Sequence, residues 1–321
     1  MNILVAVNDE YVRPLQVMLA SLFRYETGSV DVYLFYSRIT PENRKKISLC
    51  IEKAGARLIE VPVADDFFQN APIRCHFSKE MYYRVLCSEA LPVTLDRILY
   101  LDADILIRGS LRQLYEMDFQ GKTLIGVIDM IQIRYFQKDY QAHKAELGLS
   151  EEDVYINSGV LLINLVKMRE WNVWQDFIVQ LEEKREVLQF PDQDLINIIF
   201  RGEIGVAEEI YNYPTIILTA SSRLQWLMKG WIREKPLIVH YQCRSKPWHT
   251  DYIGKYYFEY QRYLRKIQDR KERTIFRWKH LRSYTLEMTV GFFRVGIRSV
   301  KNCFRKKRGR YGKDRCDHTG L

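Results

Sequence analysis

Short apolar runs alternate with longer amphipathic segments over the first part of the chain. We predict that the runs are buried strands, because near-continuous apolar segments of this length are typical of a parallel sheet covered on both faces. These strands are residues 2–7, 30–36 and 57–61. The segments between them, 12–25 and 41–54, are predicted helices, the second with Thr40 as its N-cap and Pro41 in its first turn. This β-α-β-α-β order predicts an α/β fold with a Rossmann-like, mostly parallel sheet flanked by helices.

The pattern continues through the middle of the chain. Further strands are predicted at residues 98–101, 124–128 and 237–240, and another directly after a polar corner at 157–159. Further helices are predicted at residues 79–91, 132–147, 172–188 and 190–200. The apolar stripe of helix 79–91 is expected to face the core, whereas helix 132–147 is expected at the surface.

Two aspartates separated by one alanine follow the strand at 98–101. In an extended chain, residues two apart project to the same side, so the carboxylates of Asp102 and Asp104 could face one hard divalent cation. Ala103 between them offers little steric obstruction. The alternative is that the two aspartates cap the next turn or the helix near residues 110–115, which is the commoner role of an isolated Asp-x-Asp.

Polar residues end or follow three other predicted strands, namely Asn8, Asp129 and His240. In sheets of this kind ligands bind outside the carboxyl ends of the strands, so these side chains are expected to converge with the aspartate pair. A lone histidine at a strand end is usually structural. Here a neutral imidazole could complete the cation site, and two carboxylates plus one imidazole suit Mn²⁺ better than Ca²⁺.

Three more residues have both a structural and a functional interpretation, and a fourth, Lys246, has a functional one. Asn157 could bind sugar hydroxyls beside a closely approaching Gly159, or the corner could be only a β-bulge or turn. Arg84 could be a solvated side chain or a fork-shaped phosphate ligand. Asp192 could be an N-cap, or could lie in a helix start that favours anions. Lys246 could meet a diphosphate as a point charge.

Composition narrows the class of protein. With 321 residues, 47% hydrophobic and 28% charged, the chain suits one large or two smaller globular domains. No apolar run reaches the length of a membrane span, and the start of the chain lacks the basic flank of a signal peptide. Six cysteines without a Cys-x-x-Cys pair predict free thiols in a reducing cytosol.

The positive charge is concentrated near the carboxyl end. Residues 270–313 contain fifteen Lys and Arg and two acidic residues, which gives +13 and leaves −4 for the rest of a chain whose formal net charge is +9. Apolar residues recur there at helical spacing, namely Phe293, Ile297, Val300 and Phe304. We predict an amphipathic helix or helix pair on anionic lipid. The alternative is a basic face that packs on the body or contacts nucleic acid, which the interleaved aromatics disfavour. The expected domains are 1–268 and a tail, 269–321.

Four motifs occur in one order along the chain: LYLDADIL at 99–106, NSGVLLIN at 157–164, DQDL at 192–195, and His240-Tyr followed by Lys246-Pro-Trp-His. Together they resemble the family 8 retaining glycosyltransferases, in particular the bacterial lipopolysaccharide α-galactosyl- and α-glucosyltransferases, with glycogenin as a more distant relative. The resemblance covers about residues 1 to 260. It implies the GT-A form of the predicted sheet.

The resemblance also implies roles for individual residues. The metal ligands would be Asp102, Asp104 and His240, holding Mn²⁺ (or Mg²⁺) against the diphosphate of UDP-glucose or UDP-galactose, with Ala103 beside them and Lys246 closing over the phosphates. The uridine contacts would be Ala6, Asn8 and Glu10. The donor sugar would be surrounded by Arg84, Asp129, Asn157, Gly159, Asp192 and Gln193. Three positions differ from the nearest relatives. This chain has Asn8, Glu10 and Cys243 where those relatives have Asp, Asn and Gly, respectively.

The function expected from these features is metal-dependent transfer of glucose or galactose, with retention, from a UDP-sugar to a cell-surface glycan or lipid-linked acceptor. Catalytic candidates are Gln193, Asp192, Asn157 and Asp129; because an amide is a poor nucleophile, same-face attack is preferred to a covalent intermediate on Gln193. The alternative is a catalytically inactive, membrane-associated scaffold that binds sugar nucleotides. A nucleotidyltransferase is disfavoured, since residues 7–15 contain no Gly or Lys. No nucleic-acid partner is expected, and the predicted location is the cytoplasmic face of the cell membrane.

Overall fold

A computed structural model describes residues 1–64, 79–135, 137–171, 173–215, 235–242, 245–249, 252 and 254–268. The predicted basic tail at 269–321 and Cys243 lie outside the described residues. Among the helices that are described, none is long and apolar enough to cross a bilayer.

Seven strands form the main sheet, in the order β3-β2-β1-β4-β7-β6-β8. Their bounds are β1 (Asn2–Ala6), β2 (Asp31–Tyr36), β3 (Arg57–Pro62), β4 (Arg97–Leu101), β6 (Leu124–Ile128), β7 (Ile156–Asn164) and β8 (Ile204–Val206). Only β7 runs against its neighbours in this sheet. The predicted mixed, mostly parallel sheet is therefore confirmed. The carboxyl ends of β1, β4 and β6 and the amino end of β7 consequently meet at one edge.

A second, three-stranded sheet lies beside the first, in the order β5-β10-β9. It consists of β5 (Ile105–Ile107), β9 (Tyr213–Pro214) and β10 (Ile238–His240). The strand β5 follows the aspartate pair directly, and β10 is antiparallel to it, with His240 opposite Ile105. The predicted strand that ends in His240 is thus present, but it belongs to this second sheet.

Helices cover both faces of the main sheet. They are α1 (Val12–Leu22), α2 (Pro41–Glu52), α3 (Cys87–Ala90), α4 (Arg112–Tyr115), α5 (Met130–Tyr135), α6 (Gln137–Leu147), α7 (Leu165–Arg169), α8 (Val173–Glu183), α9 (Pro191–Ile199) and α10 (Tyr257–Ile267). On one face, Ile3 and Val5 of β1 belong to the same core as residues of α1 and α2, whereas Leu4 belongs to the core that includes α8 and α9. This alternation follows from the two-residue period of a strand.

Two of the predicted helices differ from those observed. Residues Lys79–Leu86 form a 3-10 helix in which every side chain from Glu80 to Leu86 is buried, so the segment has no solvent face. Tertiary burial on all sides overrides the amphipathic pattern there. The predicted surface helix at 132–147 is instead α5 and α6, and α6 buries Tyr140, His143, Lys144 and Leu147. The Lys144 ammonium is accommodated because it donates to the carbonyls of Glu151 and Asp153.

Candidate active site

A cavity of about 370 Å³ opens at the edge where β1, β4 and β6 end. Its walls include most of the predicted site residues, namely Ala6, Asn8, Arg84, Asp102, Ala103, Asp104, Asp129, Asn157, Asp192, Gln193, His240 and Lys246. Glu10 does not line it: its side chain is exposed, and its backbone N–H donates to Asn8 Oδ1. The convergence of residues far apart in sequence makes this cavity the candidate active site.

Asp102, Asp104 and His240 can each direct one ligand atom into a group whose members lie within 4.8 Å of one another. His240 Nε2 is 3.2 Å from Asp104 Oδ1 and 3.7 Å from Asp102 Oδ2. Two carboxylates and an imidazole at these separations fit one divalent cation of the Mn²⁺ type. The turn after β4 positions the two aspartates, and the second sheet brings His240 to them.

Because Gly159 has no side chain, His240 can lie close to the backbone of β7 at this position. A Cβ at this position would lie 2.2 Å from His240 Cε1 and 2.7 Å from Asp102 Oδ2. The pairing of β6 with β7 shifts register beside it, between Gly126 and Val127. The irregularity expected as the structural alternative and the close approach expected at Gly159 thus occur together, and the glycine backbone lies against the candidate metal ligands.

Two cations balance the carboxylates. Arg84 is buried and lies 3.2 Å from Asp102 and 3.3 Å from Asp192. Its side chain therefore does not extend into solvent, and its guanidinium is already paired with these two carboxylates. Lys246 donates to Asp104 Oδ2 and to the carbonyl of Tyr241, both at 2.6 Å. Burying each cation without these partners would be costly, so the pairs are coupled to the fold.

The surroundings shift the acidity of these carboxylates in opposite directions. Burial raises the pKa of Asp104, but Lys246 and His240 more than offset it and hold that pKa well below its usual range. Burial raises the pKa of Asp192 above its ordinary value, with Arg84 acting in the opposite sense. Such opposed shifts in one cleft are typical of functional sites.

Further polar side chains that line the cavity come from β7, from α9 and from Asp129 directly after β6. Gln193 Nε2 donates to Asp129 Oδ2 at 3.0 Å, and Gln193 Oε1 accepts from Asn157 Nδ2 at 2.8 Å. Asp192 accepts from the Ser158 hydroxyl at 2.9 Å. The N-cap of α9 is Phe190, whose N–H donates to Asp194, so Asp192 is not the N-cap and faces the cavity.

Several site residues were not predicted from the sequence. They are Tyr11, Glu80, Tyr100, Ser158, Asn212 and Gln242. Glu80 is a buried carboxylate that accepts a 3.4 Å hydrogen bond from Asn8. Tyr100 donates to Asp102 at 2.6 Å, and the Arg84 guanidinium lies 4.1 Å above its ring. A carboxylate in the segment 80–86, whose other residues apart from Arg84 are apolar or aromatic, was the available signal for Glu80. No local signal marks Asn212.

Known proteins are similar to this chain in sequence and in fold. The family model described as glycosyl transferase family 8 matches residues 2–252. The chain belongs to glycosyl transferase family 8. The predicted family and enzyme class, a glycosyltransferase, are therefore confirmed.

Two relatives of this family 8 glycosyltransferase illustrate the likeness. Glycosyltransferase GlyF of Streptococcus pneumoniae is 28% identical over 254 residues, which cover 79% of this chain and 58% of GlyF. Lipopolysaccharide 1,2-glucosyltransferase of Escherichia coli K12 is 27% identical over 254 residues, covering 78% of this chain and 73% of the relative. The chain thus spans little more than half the length of GlyF.

The solved structures agree with the fold. The galactosyltransferase LgtC, crystallised with donor and acceptor sugar analogs, superposes with a TM-score of 0.73 at 25% identity, covering 84% of this chain and 97% of LgtC. GlyE of Streptococcus pneumoniae superposes with a TM-score of 0.61 at 22% identity, covering 89% of this chain and 64% of GlyE. The predicted GT-A fold of this family 8 member is confirmed.

Proposed function

We propose that this family 8 glycosyltransferase is a metal-dependent, retaining hexosyltransferase that uses UDP-glucose or UDP-galactose as donor. The observation that carries the proposal is one cavity lined both by a candidate cation site and by hydrogen-bonded amides and carboxylates. A relative named as a glucosyltransferase and a similar structure of a galactosyltransferase support a hexose donor.

The residues present fit the proposed metal. Asp102, Asp104 and His240 would hold Mn²⁺ (or Mg²⁺), which, when bound, neutralises charge on the departing diphosphate. Lys246 supplies a second positive charge beside Asp104, and it is a point charge that can orient a phosphate oxygen. The leaving diphosphate would thus meet positive charge that is already positioned before the reaction.

The residues proposed to surround the donor sugar favour same-face attack as the route to retention of configuration. A nucleophile would need a free electron pair directed at the anomeric carbon. The oxygen of Gln193 already accepts from Asn157 Nδ2 at 2.8 Å and from the Ser158 N–H at 3.2 Å. We therefore assign Gln193, with Asp129 and Asn157, to orienting the donor sugar and stabilising positive charge at its anomeric carbon. Asp192 adds negative charge nearby.

The uridine would lie at the β1 end of the cavity, against Ala6 and Asn8. The acceptor would be a cell-surface glycan or lipid-linked intermediate, met at the cytoplasmic face of the membrane. The charge of +13 over residues 270–313 supports binding of that tail to anionic lipid.

A titration of the full chain with UDP-glucose, UDP-galactose and other UDP-sugars, with and without Mn²⁺, tests the donor. Tight binding of one UDP-hexose that requires Mn²⁺ is the expected result. Release of UDP from the bound donor separates the enzyme from an inactive scaffold, which would bind the donor without hydrolysing it. Binding that does not depend on metal would contradict the proposal.

A further inference from the structure

Four side chains form a continuous hydrogen-bonded series from the candidate metal ligand His240 to Gln193. His240 Nδ1 lies 2.8 Å from Asn212 Oδ1, and Asn212 Nδ2 donates to Asn157 Oδ1 at 2.9 Å. Asn157 Nδ2 in turn donates to Gln193 Oε1 at 2.8 Å. Asn212 is the member that joins the proposed metal ligand to the proposed sugar contacts, and only 2% of it is exposed.

Backbone groups determine the direction of this series. The oxygen and nitrogen of an amide side chain must be distinguished by their partners. Asn157 Oδ1 also accepts from the backbone N–H of Gly159 at 3.0 Å, so the atom at that position is the oxygen. Gln193 Oε1 likewise accepts from the backbone N–H of Ser158. Asn212 must therefore present its Nδ2 to Asn157 and its Oδ1 to His240.

The orientation of Asn212 decides the tautomer of His240. A carbonyl oxygen facing Nδ1 requires the proton on Nδ1, which leaves the electron pair on Nε2. Nε2 is the atom that faces Asp102 and Asp104. Gln242 Nε2 also lies 3.2 Å from His240 Nδ1. Among the residues that the structure describes, no backbone group sets the orientation of the Gln242 amide in the way Gly159 does for Asn157.

We propose that Asn212 is a positioning residue: it holds His240 in the metal-binding tautomer and links the cation site to the sugar-binding amides. The proposal rests on the proposed function, because it concerns the same cavity. Residues that hydrogen-bond a ligating histidine in this way commonly change metal affinity by about 10- to 100-fold when removed. Asn212 has a second effect here, because the same amide also orients Asn157.

Two substitutions separate the two effects. Asn212→Leu removes both hydrogen bonds at similar volume, so it should weaken Mn²⁺ binding by about 10-fold or more and shift His240 toward the Nε2–H tautomer. Asn212→Asp keeps an acceptor for His240 Nδ1–H but places a second acceptor against Asn157 Oδ1. It should keep Mn²⁺ affinity at or above that of the unsubstituted chain and lower kcat with UDP-hexose.

The measurements are titration of the full chain with Mn²⁺ alone and the ¹⁵N shifts of the His240 ring, neither of which needs turnover. Thr215→Val is the matched control, because the Thr215 hydroxyl donates to the His240 carbonyl and leaves the ring partners intact. Its Mn²⁺ affinity should remain close to that of the unsubstituted chain.

Unchanged Mn²⁺ affinity and tautomer in Asn212→Leu would overturn the proposal, and so would an equal loss in Thr215→Val, which would indicate general destabilisation. If Asn212→Leu does not fold, Asn212→Asp decides: loss of Mn²⁺ affinity there would contradict the role of the retained acceptor. A chain that transfers no hexose yet shows the predicted tautomer change would refute the proposed function and leave this inference standing.

Discussion

The Lys246 ammonium lies 2.6 Å from Asp104 Oδ2, while Asp104 Oδ1 faces His240 Nε2 at 3.2 Å. Asp104 thus has a cationic partner, Lys246, at Oδ2, and its Oδ1 is available as a ligand atom for a cation. Both side chains are almost fully buried, so each depends on the other for charge compensation.

Lys246→Met should therefore lower stability by about 3–5 kcal/mol, because it leaves the Asp104 carboxylate buried without its partner. Denaturant unfolding of the metal-free protein measures this loss. Mn²⁺ should restore part of it, so the increase in Tm on adding Mn²⁺ should be larger for the variant than for the unsubstituted chain. Equal stability of the two metal-free proteins would show that the pair contributes little.

Gln193→Ala should lower UDP-hexose turnover moderately and leave donor binding nearly unchanged, since Gln193 is assigned to orienting the sugar. Steady-state kinetics and donor titration separate the two effects. Complete loss of turnover with normal donor binding would instead favour a covalent intermediate. Mass spectrometry showing a sugar attached to Gln193 or Asp192 of the unsubstituted chain would establish it.

Arg169 is expected to be important for stability and not for chemistry. Its guanidinium donates to backbone carbonyls of α3 and of the segment after it, those of Ser88, Leu91, Pro92, Val93 and Leu95. Arg169→Ala should cost about 1–3 kcal/mol in unfolding free energy, because partly buried acceptors lose their donor. The control is Arg112→Ala, an exposed residue in an i,i+4 pair, which should change stability by no more than about 0.5 kcal/mol.

Removal of residues 269–321 tests the predicted tail. The helix α10 ends at Ile267 with Gln268 as its C-cap, so the shortened protein keeps every described element. It should retain release of UDP from the donor and lose co-sedimentation with anionic vesicles. Sedimentation equal to that of the full chain would show that the membrane role belongs elsewhere.

The sequence was sufficient for features that depend on local patterns. Apolar runs located β1, β2, β4 and β6, and their carboxyl ends located Asp102 and Asp129, because strand polarity alone places them at one edge. Features that depend on contacts between distant segments were not accessible. The partners of Arg84 come from β4 and α9, and the 3-10 helix at Lys79–Leu86 depends on burial from several sides.

The same limit applies to Asn212. It stands in the stretch Ile-Tyr-Asn-Tyr-Pro, where an asparagine is ordinarily a turn residue. Its importance arises only when β10 brings His240 beside it and the bulge of β7 presents Asn157 on its other side. Neither periodicity nor spacing in a single sequence indicates that these residues contact one another.

Asp102, Asp104 and His240 are proposed to hold a metal that glycosyl transfer requires. Release of UDP from UDP-glucose and UDP-galactose, with and without Mn²⁺, should be compared among the full chain, Asp102→Asn and Asp104→Asn. Asp102→Asn should stay folded, because Arg84 keeps Asp192 as a partner. Asp104→Asn leaves the buried Lys246 without its charge partner and should lose stability as Lys246→Met does, so it is assayed only where circular dichroism shows it folded. We expect Mn²⁺-dependent release by the unsubstituted chain and background release by both variants. Full Mn²⁺-dependent release by either folded variant would contradict the proposed metal site.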